Sequence, residues 1–197
     1  MFAEAHSVRG HNPSVAPRAR FGQDRTFAGS PQLLPKAACS MQSPHIEQLS
    51  RSLVALGERS KASFCIWIAG QVRDALTPEE AQRVGISHVV ATLQAWEAGS
   101  QATGDQLNEL LMNASDEGLY AYLRRGPNET DTAIEAVGGS VCYIAWIAYT
   151  RAGEHLPDGI DQVNDDFITW IVQQAVECRA VTHEACLAVV HELASSK

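Results

Sequence analysis

Apolar residues recur at helical spacing along most of the chain, and capping residues divide the pattern into segments. Pro44 stands where a first helical residue is expected, and the apolar stripe that follows runs from Ile46 to Leu56. A second stripe covers about Ser60 to Leu76. No segment shows the alternation of apolar and polar residues that is typical of a strand. The pattern therefore predicts an all-α protein.

Two capping motifs mark the starts of further helices. Thr77 and Glu80 form a capping box, in which each side chain binds a free backbone amide of the other residue. We expect the third helix to start there and to run without interruption to Ala98. Thr103 and Gln106 repeat the motif before a short fourth helix.

Four more helices are predicted in the second half of the chain. They cover the apolar positions within residues 119–123, 130–150, 163–171 and 182–190. The helix over residues 130–150 is the most apolar, and we expect it at the centre of the fold. It contains a strip of small residues that lets a neighbouring helix approach closely, namely Gly138, Gly139, Cys142 and Ala145. The prediction is a single compact domain of about eight helices.

Residues 1–40 differ in composition from the rest of the chain. They carry five basic residues against two acidic ones, and four prolines interrupt any helical pattern. Such a segment is expected to be a disordered leader. An over-extended gene start, with the true start at Met41, and an organellar transit peptide are the alternatives. We therefore place the all-α domain at residues 41–197.

The net charge limits the kind of partner that this protein can bind, and the cysteines indicate its cellular compartment. The chain has 197 residues, a net charge of −8 and a pI of about 5.3, so it offers no surface that neutralises nucleic-acid phosphates. The longest uncharged run, Ala136 to Thr150, is shorter than the ~20 apolar residues that span a bilayer. Five cysteines without a C-x-x-C pair, and no apolar secretory signal, indicate the cytoplasm. Direct binding to nucleic acid or to a membrane is not expected.

Candidate metal and nucleophile sites lack the spacing that their chemistry requires. His183 and His191 are eight residues apart, which is about 12 Å along a helix and too far for one ion. Ser140 lacks the Gly-x-Ser-x-Gly turn of a nucleophile elbow. Cys65 and Cys142 lie in apolar helical runs and are expected to be buried. The sequence predicts no catalytic residue, no metal and no cofactor.

Two clusters of carboxylates have three competing explanations. Aspartates at a helix start bind free amides and the positive end of the helix dipole, and this explanation is favoured. A surface that binds a basic partner comes second, and an acid pair of a hydrolase comes third. The clusters are Asp116 with Glu117, and Asp158, Asp161, Asp165 and Asp166.

Aromatic residues in the most apolar helix form a further candidate. Tyr143, Trp146 and Tyr149 recur at intervals of three residues. Core packing is the favoured role of such a set, whereas a partly exposed tryptophan is a good anchor for a protein partner.

Several segments, taken in order, resemble the sixth numbered all-α immunity-protein family of bacterial polymorphic toxin systems. The resemblance covers roughly residues 50–178. Its most specific part is an aromatic helix followed by Leu-Pro and an acidic helix start. The segments are VVATLQAWEAG (Val89 to Gly99), LNELL (Leu107 to Leu111), DEGLYAYL (Asp116 to Leu123), CYIAWIAYTRAGEHLPDGI (Cys142 to Ile160) and VNDDFI (Val163 to Ile168).

The resemblance implies a cytoplasmic, non-enzymatic protein that binds and blocks a cognate toxin domain encoded by a neighbouring gene. The acidic composition suits a basic toxin such as a nuclease. A helical adaptor of a housekeeping complex is the main alternative, and an acid/base hydrolase is the lesser one. The residues assigned to the partner surface are Asp116, Glu117, Trp146, Asp158, Asp161, Asp165 and Asp166.

Overall fold

A computed structural model describes residues 44–112, 118–123 and 130–196. The described residues form helices and turns with no strand, so the all-α prediction is confirmed. The leader at residues 1–40 lies outside them, and its predicted disorder stays a prediction. The helices are α1 (Pro44–Val54), α2 (Glu58–Ala75), α3 (Pro78–Arg83), α4 (Ile86–Glu97), α5 (Gly104–Met112), α6 (Leu119–Leu123), α7 (Asp131–Ala152), α8 (Asp165–Glu177) and α9 (His183–Ser195).

The predicted third helix is in fact two helices, and this prediction was wrong. The capping box is present, with the Glu80 amide donating to Thr77 Oγ1 and the Thr77 amide donating to the Glu80 carboxylate. However, α3 ends at Arg83 because Gly85 has a φ of +75°. A left-handed residue cannot continue a right-handed helix. The chain therefore turns at Gly85 before α4 begins.

The long apolar helix α7 lies at the centre of the fold as predicted. It packs against α2, α4, α5, α6 and α8. Its length and composition are also those of a membrane span, but 78% of its most apolar window is buried inside the protein. That degree of burial is typical of the core helix of a globular fold.

The strip of small residues on α7 allows the predicted close approach, and it does so toward two different helices. A Cβ atom added to Gly138 would lie 2.7 Å from the ring of Tyr120 on α6. One added to Gly139 would lie 2.8 Å from Ile171 on α8. Real Cβ contacts are essentially never this short. At these two positions any residue other than glycine requires the neighbouring side chains to shift.

Candidate functional site

The start of α2, the end of α7 and the start of α8 meet at one end of the domain. Arg151, in the last turn of α7, forms an ion pair with Glu58, with its Nη2 atom 2.9 Å from the carboxylate. Lys61, one turn further along α2, donates to Asp165 in the first turn of α8 at 2.7 Å. Most of the residues predicted to bind a partner lie at this end.

Four aspartates form what we call the acidic surface: Asp158, Asp161, Asp165 and Asp166. The first two lie in the connector between α7 and α8, and the other two lie in the first turn of α8. Asp158, Asp161 and Asp166 are exposed, and Asp165 is half-buried. Clustered charges that remain in water can steer and orient an oppositely charged partner.

None of these aspartates is the side-chain cap of α8. That role belongs to Asn164, whose Oδ1 atom accepts from the Phe167 amide at 3.1 Å. Asp161 instead accepts from the Gly159 amide at 3.0 Å and so fixes the connector. Asp165 and Asp166 lie at the positive end of the α8 dipole, where carboxylates are favoured. Asp165 and Asp166 therefore lie where the capping explanation expects carboxylates, but the side chain that caps the helix is that of Asn164.

Asp165 differs from its neighbours because it compensates a charge inside the fold. The side chain of Lys61 is only 10% exposed, whereas that of Asp165 is 43% exposed. An ammonium group with so little access to water requires a partner. Asp165 therefore has a structural role whether or not it also contacts a partner.

Trp146 lies on the same end of α7 and is partly exposed. Its ring centroid is 5.8 Å from that of Tyr143. Burial raises the pKa of the Tyr143 hydroxyl well above its usual value, and the nearby Cys65, Asp165 and Glu58 raise it further. Tyr143 therefore contacts Trp146 on α7, and the charge of Asp165 at the start of α8 acts on it. That Trp146 shares a surface with the exposed aspartates stays a prediction.

The other predicted partner residues, Asp116 and Glu117, lie outside the described residues. Their assignment stays a prediction.

The serine and the cysteines considered as candidate nucleophiles are buried in the fold. Ser140 is fully buried and donates to the Ala136 carbonyl at 3.0 Å. Burial raises the pKa of the Cys142 thiol to about 11 and that of Cys186 to about 12, so both stay protonated at neutral pH. Cys65 is also buried, as predicted. Within the described ranges, no group of three or more metal-ligating side chains comes together.

A cleft of about 600 Å³ lies on another side of the same end, and sequence analysis did not find it. It is formed by the start of α2, the loop between α4 and α5, and the last turns of α7. Three residues of α7 line it, Ala148, Arg151 and Ala152, and they are separated from Trp146 by about 160°, 140° and 120° around the helix. The cleft and Trp146 therefore lie on different faces of α7. Its polar and aromatic lining residues include Arg59, Ser63, Trp96, Glu97, Thr103 and Arg151.

Trp96 was one of the apolar positions of the predicted third helix, but its ring is only partly buried. The guanidinium of Arg151 lies over that ring, with its central carbon 5.6 Å from the ring centroid. The last turn of α4 then ends in a Schellman pattern, in which the Ser100 amide donates to the Ala95 carbonyl at 2.9 Å. Gly99, with a φ of +104°, supports that turn. The helix thus ends beside the cleft, and its loop forms one wall.

The family model of the immunity protein Imm6 matches residues 60–178, which are 119 of the 197 residues. This chain belongs to the Imm6 family of immunity proteins. The match confirms the resemblance found in the sequence. No curated protein and no solved structure matches the chain.

The Imm6 match covers the helices that carry both surfaces. It begins in the first turn of α2 and ends at Cys178, directly after α8. The acidic surface, Trp146 and most of the cleft lie within it. Helices α1 and α9 lie outside it.

Proposed function

We propose that this Imm6 protein binds a cognate toxin domain in the cytoplasm and neutralises it by forming a one-to-one complex. Membership of an immunity-protein family is the observation that carries the proposal. Immunity by this route needs a complementary surface and no catalytic group. A stoichiometric inhibitor abolishes toxin activity at one equivalent, whereas an enzyme acts at far lower ratios.

The acidic surface and Trp146 are the part of the molecule that we assign to the toxin. Trp146 is partly exposed on α7 and contacts Tyr143, and the charge of Asp165 in the first turn of α8 acts on Tyr143. Interfaces often combine an aromatic anchor with surrounding charges that orient the partner. The net charge of −8 supports a basic toxin, because opposite charge accelerates association.

Isothermal titration of the purified full chain with the toxin domain encoded by the adjacent gene tests this assignment. Reversing the exposed Asp166 to Arg is expected to weaken binding about tenfold or more, because an attractive contact becomes a repulsive one. Glu79→Arg is the matched control, since Glu79 is exposed on α3, beyond the other end of α2. Equal affinities for both variants would place the toxin elsewhere.

The same titration separates the proposal from its two rivals. A housekeeping adaptor would show no affinity for the toxin. A hydrolase that inactivates the toxin or its product would abolish toxin activity at less than one equivalent of this protein per toxin. Asp161→Asn would remove that hydrolase activity. A sharp end point at one equivalent, unchanged by Asp161→Asn, is the result expected for an immunity protein.

A further inference from the structure

We propose that the cleft lined by Arg59, Trp96 and Arg151 receives a carboxylate-bearing segment of the toxin. This inference rests on the proposed immunity function and adds a second contact, made by arginines instead of aspartates. The toxin would then present basic residues to the acidic surface and an acidic side chain to the cleft.

The cleft contains an arginine without an ion-pair partner in an otherwise acidic protein. The protein has a net charge of −8, and Arg59, Arg151 and Glu97 line this cleft, with the charge of Arg151 offset by Glu58. The described ranges contain seven Lys and Arg residues in all, and two of them line this cleft. Arg59 forms no ion pair with any described residue. Its guanidinium is exposed and available to a partner.

Arg151 is held in place before any partner arrives. Its Nε and Nη2 atoms contact the Glu58 carboxylate at 3.0 and 2.9 Å, and its central carbon lies over the Trp96 ring, 5.6 Å from the centroid. A guanidinium has five N–H donors, so this contact leaves donors free for a second carboxylate. An arginine that is already ordered loses little conformational entropy when it binds.

The shape of the cleft suits one inserted side chain and its flanking residues. Its volume of about 600 Å³ lies within the roughly 300–1,000 Å³ typical of binding pockets. Its lining also includes the small residues Ala62, Ser63, Ala148 and Ala152. Trp96 supplies an apolar wall, and tryptophan and arginine are the residue types most enriched at the energetic centres of interfaces. A carboxylate next to an apolar side chain matches this combination.

The test is the affinity of the full chain for the toxin domain encoded by the adjacent gene, measured by isothermal titration. We expect Arg59→Glu to weaken binding about 30-fold. Arg59→Lys should weaken it less, because lysine keeps the positive charge but cannot form the bidentate hydrogen bonds of a guanidinium. Arg51→Glu is the matched control, since Arg51 is an exposed residue on α1 whose Nε atom contacts only its own helix. Circular dichroism checks that each variant is folded.

Reversing the charge on both proteins tests whether Arg59 contacts a carboxylate of the toxin directly. Asp and Glu residues of the toxin are changed to Arg one at a time, and each variant is titrated against Arg59→Glu. Recovery of most of the lost affinity by one of them supports a direct contact between that carboxylate and Arg59. No recovery by any of them would overturn the contact.

The remaining outcomes distinguish this inference from the proposed function. If the wild-type chain binds the toxin and Arg59→Glu binds equally well, the cleft inference is wrong and the immunity role stands. If the wild-type chain does not bind the toxin, the immunity role is wrong, and the partner assigned to the cleft falls with it. If AMP raises the melting temperature of the wild type but not of Arg59→Glu, while toxin affinity is equal, the cleft binds small anions and not a protein.

Discussion

Lys61 donates to Asp165 at 2.7 Å and so joins α2 to the first turn of α8. The lysine is nearly buried and the aspartate is half-exposed. The bond therefore acts inside the fold, although Asp165 belongs to a cluster that the sequence assigns to a partner surface. Four aspartates lie between residues 158 and 166, and the tertiary contact with Lys61 distinguishes Asp165 from the other three.

Asp165→Asn is expected to lower the free energy of unfolding by about 1–3 kcal/mol, because it leaves the Lys61 ammonium with little water and no counter-charge. Asp166→Asn, one residue further on and exposed, is expected to change it by less than about 0.5 kcal/mol. Urea denaturation at pH 7 measures both. Equal effects would contradict the structural role of Asp165.

Gly138→Ala is expected to destabilise the protein by about 1–3 kcal/mol, even though alanine favours a helix, because the new methyl group overlaps the Tyr120 ring. Gly70 on α2 is the matched control, since a Cβ added there has nothing within 4 Å. Gly70→Ala is expected to raise stability by about 0.5–1 kcal/mol. Thermal unfolding of the two variants should shift in opposite directions, and a shift of the same sign would show that the helices do not pack as described.

Arg179→Gly is expected to stabilise the protein by about 0.5–1 kcal/mol. Arg179 follows α8 with a φ of +62°, and its amide donates to the Val176 carbonyl at 2.9 Å. Glycine adopts this left-handed conformation without steric cost. Arg179→Ala removes the same charge without relieving the backbone, so it should bring no gain in denaturant unfolding. If Arg179→Ala raised the stability as well, the loss of charge and not the relief of the backbone would explain the effect.

Glu135→Gln is expected to raise stability at neutral pH and to have little effect in acid. Burial raises the pKa of Glu135, and the nearby carboxylates of Asp131 and Glu177 raise it further. A carboxyl group whose pKa is higher in the folded state favours folding below its unfolded pKa of about 4.3 and loses that contribution as the pH rises through the folded value. The neutral glutamine avoids this loss. Denaturant unfolding of both proteins at pH 3.5 and pH 7 measures the difference, and an equal difference at both pH values would contradict the shift.

Apolar periodicity and capping residues predicted most of the helices because they are local signals. The boxes at Thr77 and Thr103 and the cap at Thr182 are all present, and each depends on residues three positions apart. The break at Gly85 was missed because a glycine inside an apolar pattern can be tolerated in a helix or can end it, and only the backbone conformation decides.

The candidate site was only partly predictable for a different reason. The acidic surface lies in one stretch of sequence, so its cluster of charge was visible. The cleft joins Arg59, Trp96 and Arg151 from three segments more than 35 residues apart. No spacing rule connects such positions, and their convergence follows from the way α2 and α4 pack against α7.

Co-expression of the full chain with the toxin domain encoded by the adjacent gene tests the central claim most directly. Growth of the host and gel filtration of the lysate report neutralisation and complex formation together. The immunity role predicts restored growth and co-elution of the two proteins at a one-to-one ratio. Continued growth arrest with a folded, separately eluting helical protein would contradict it.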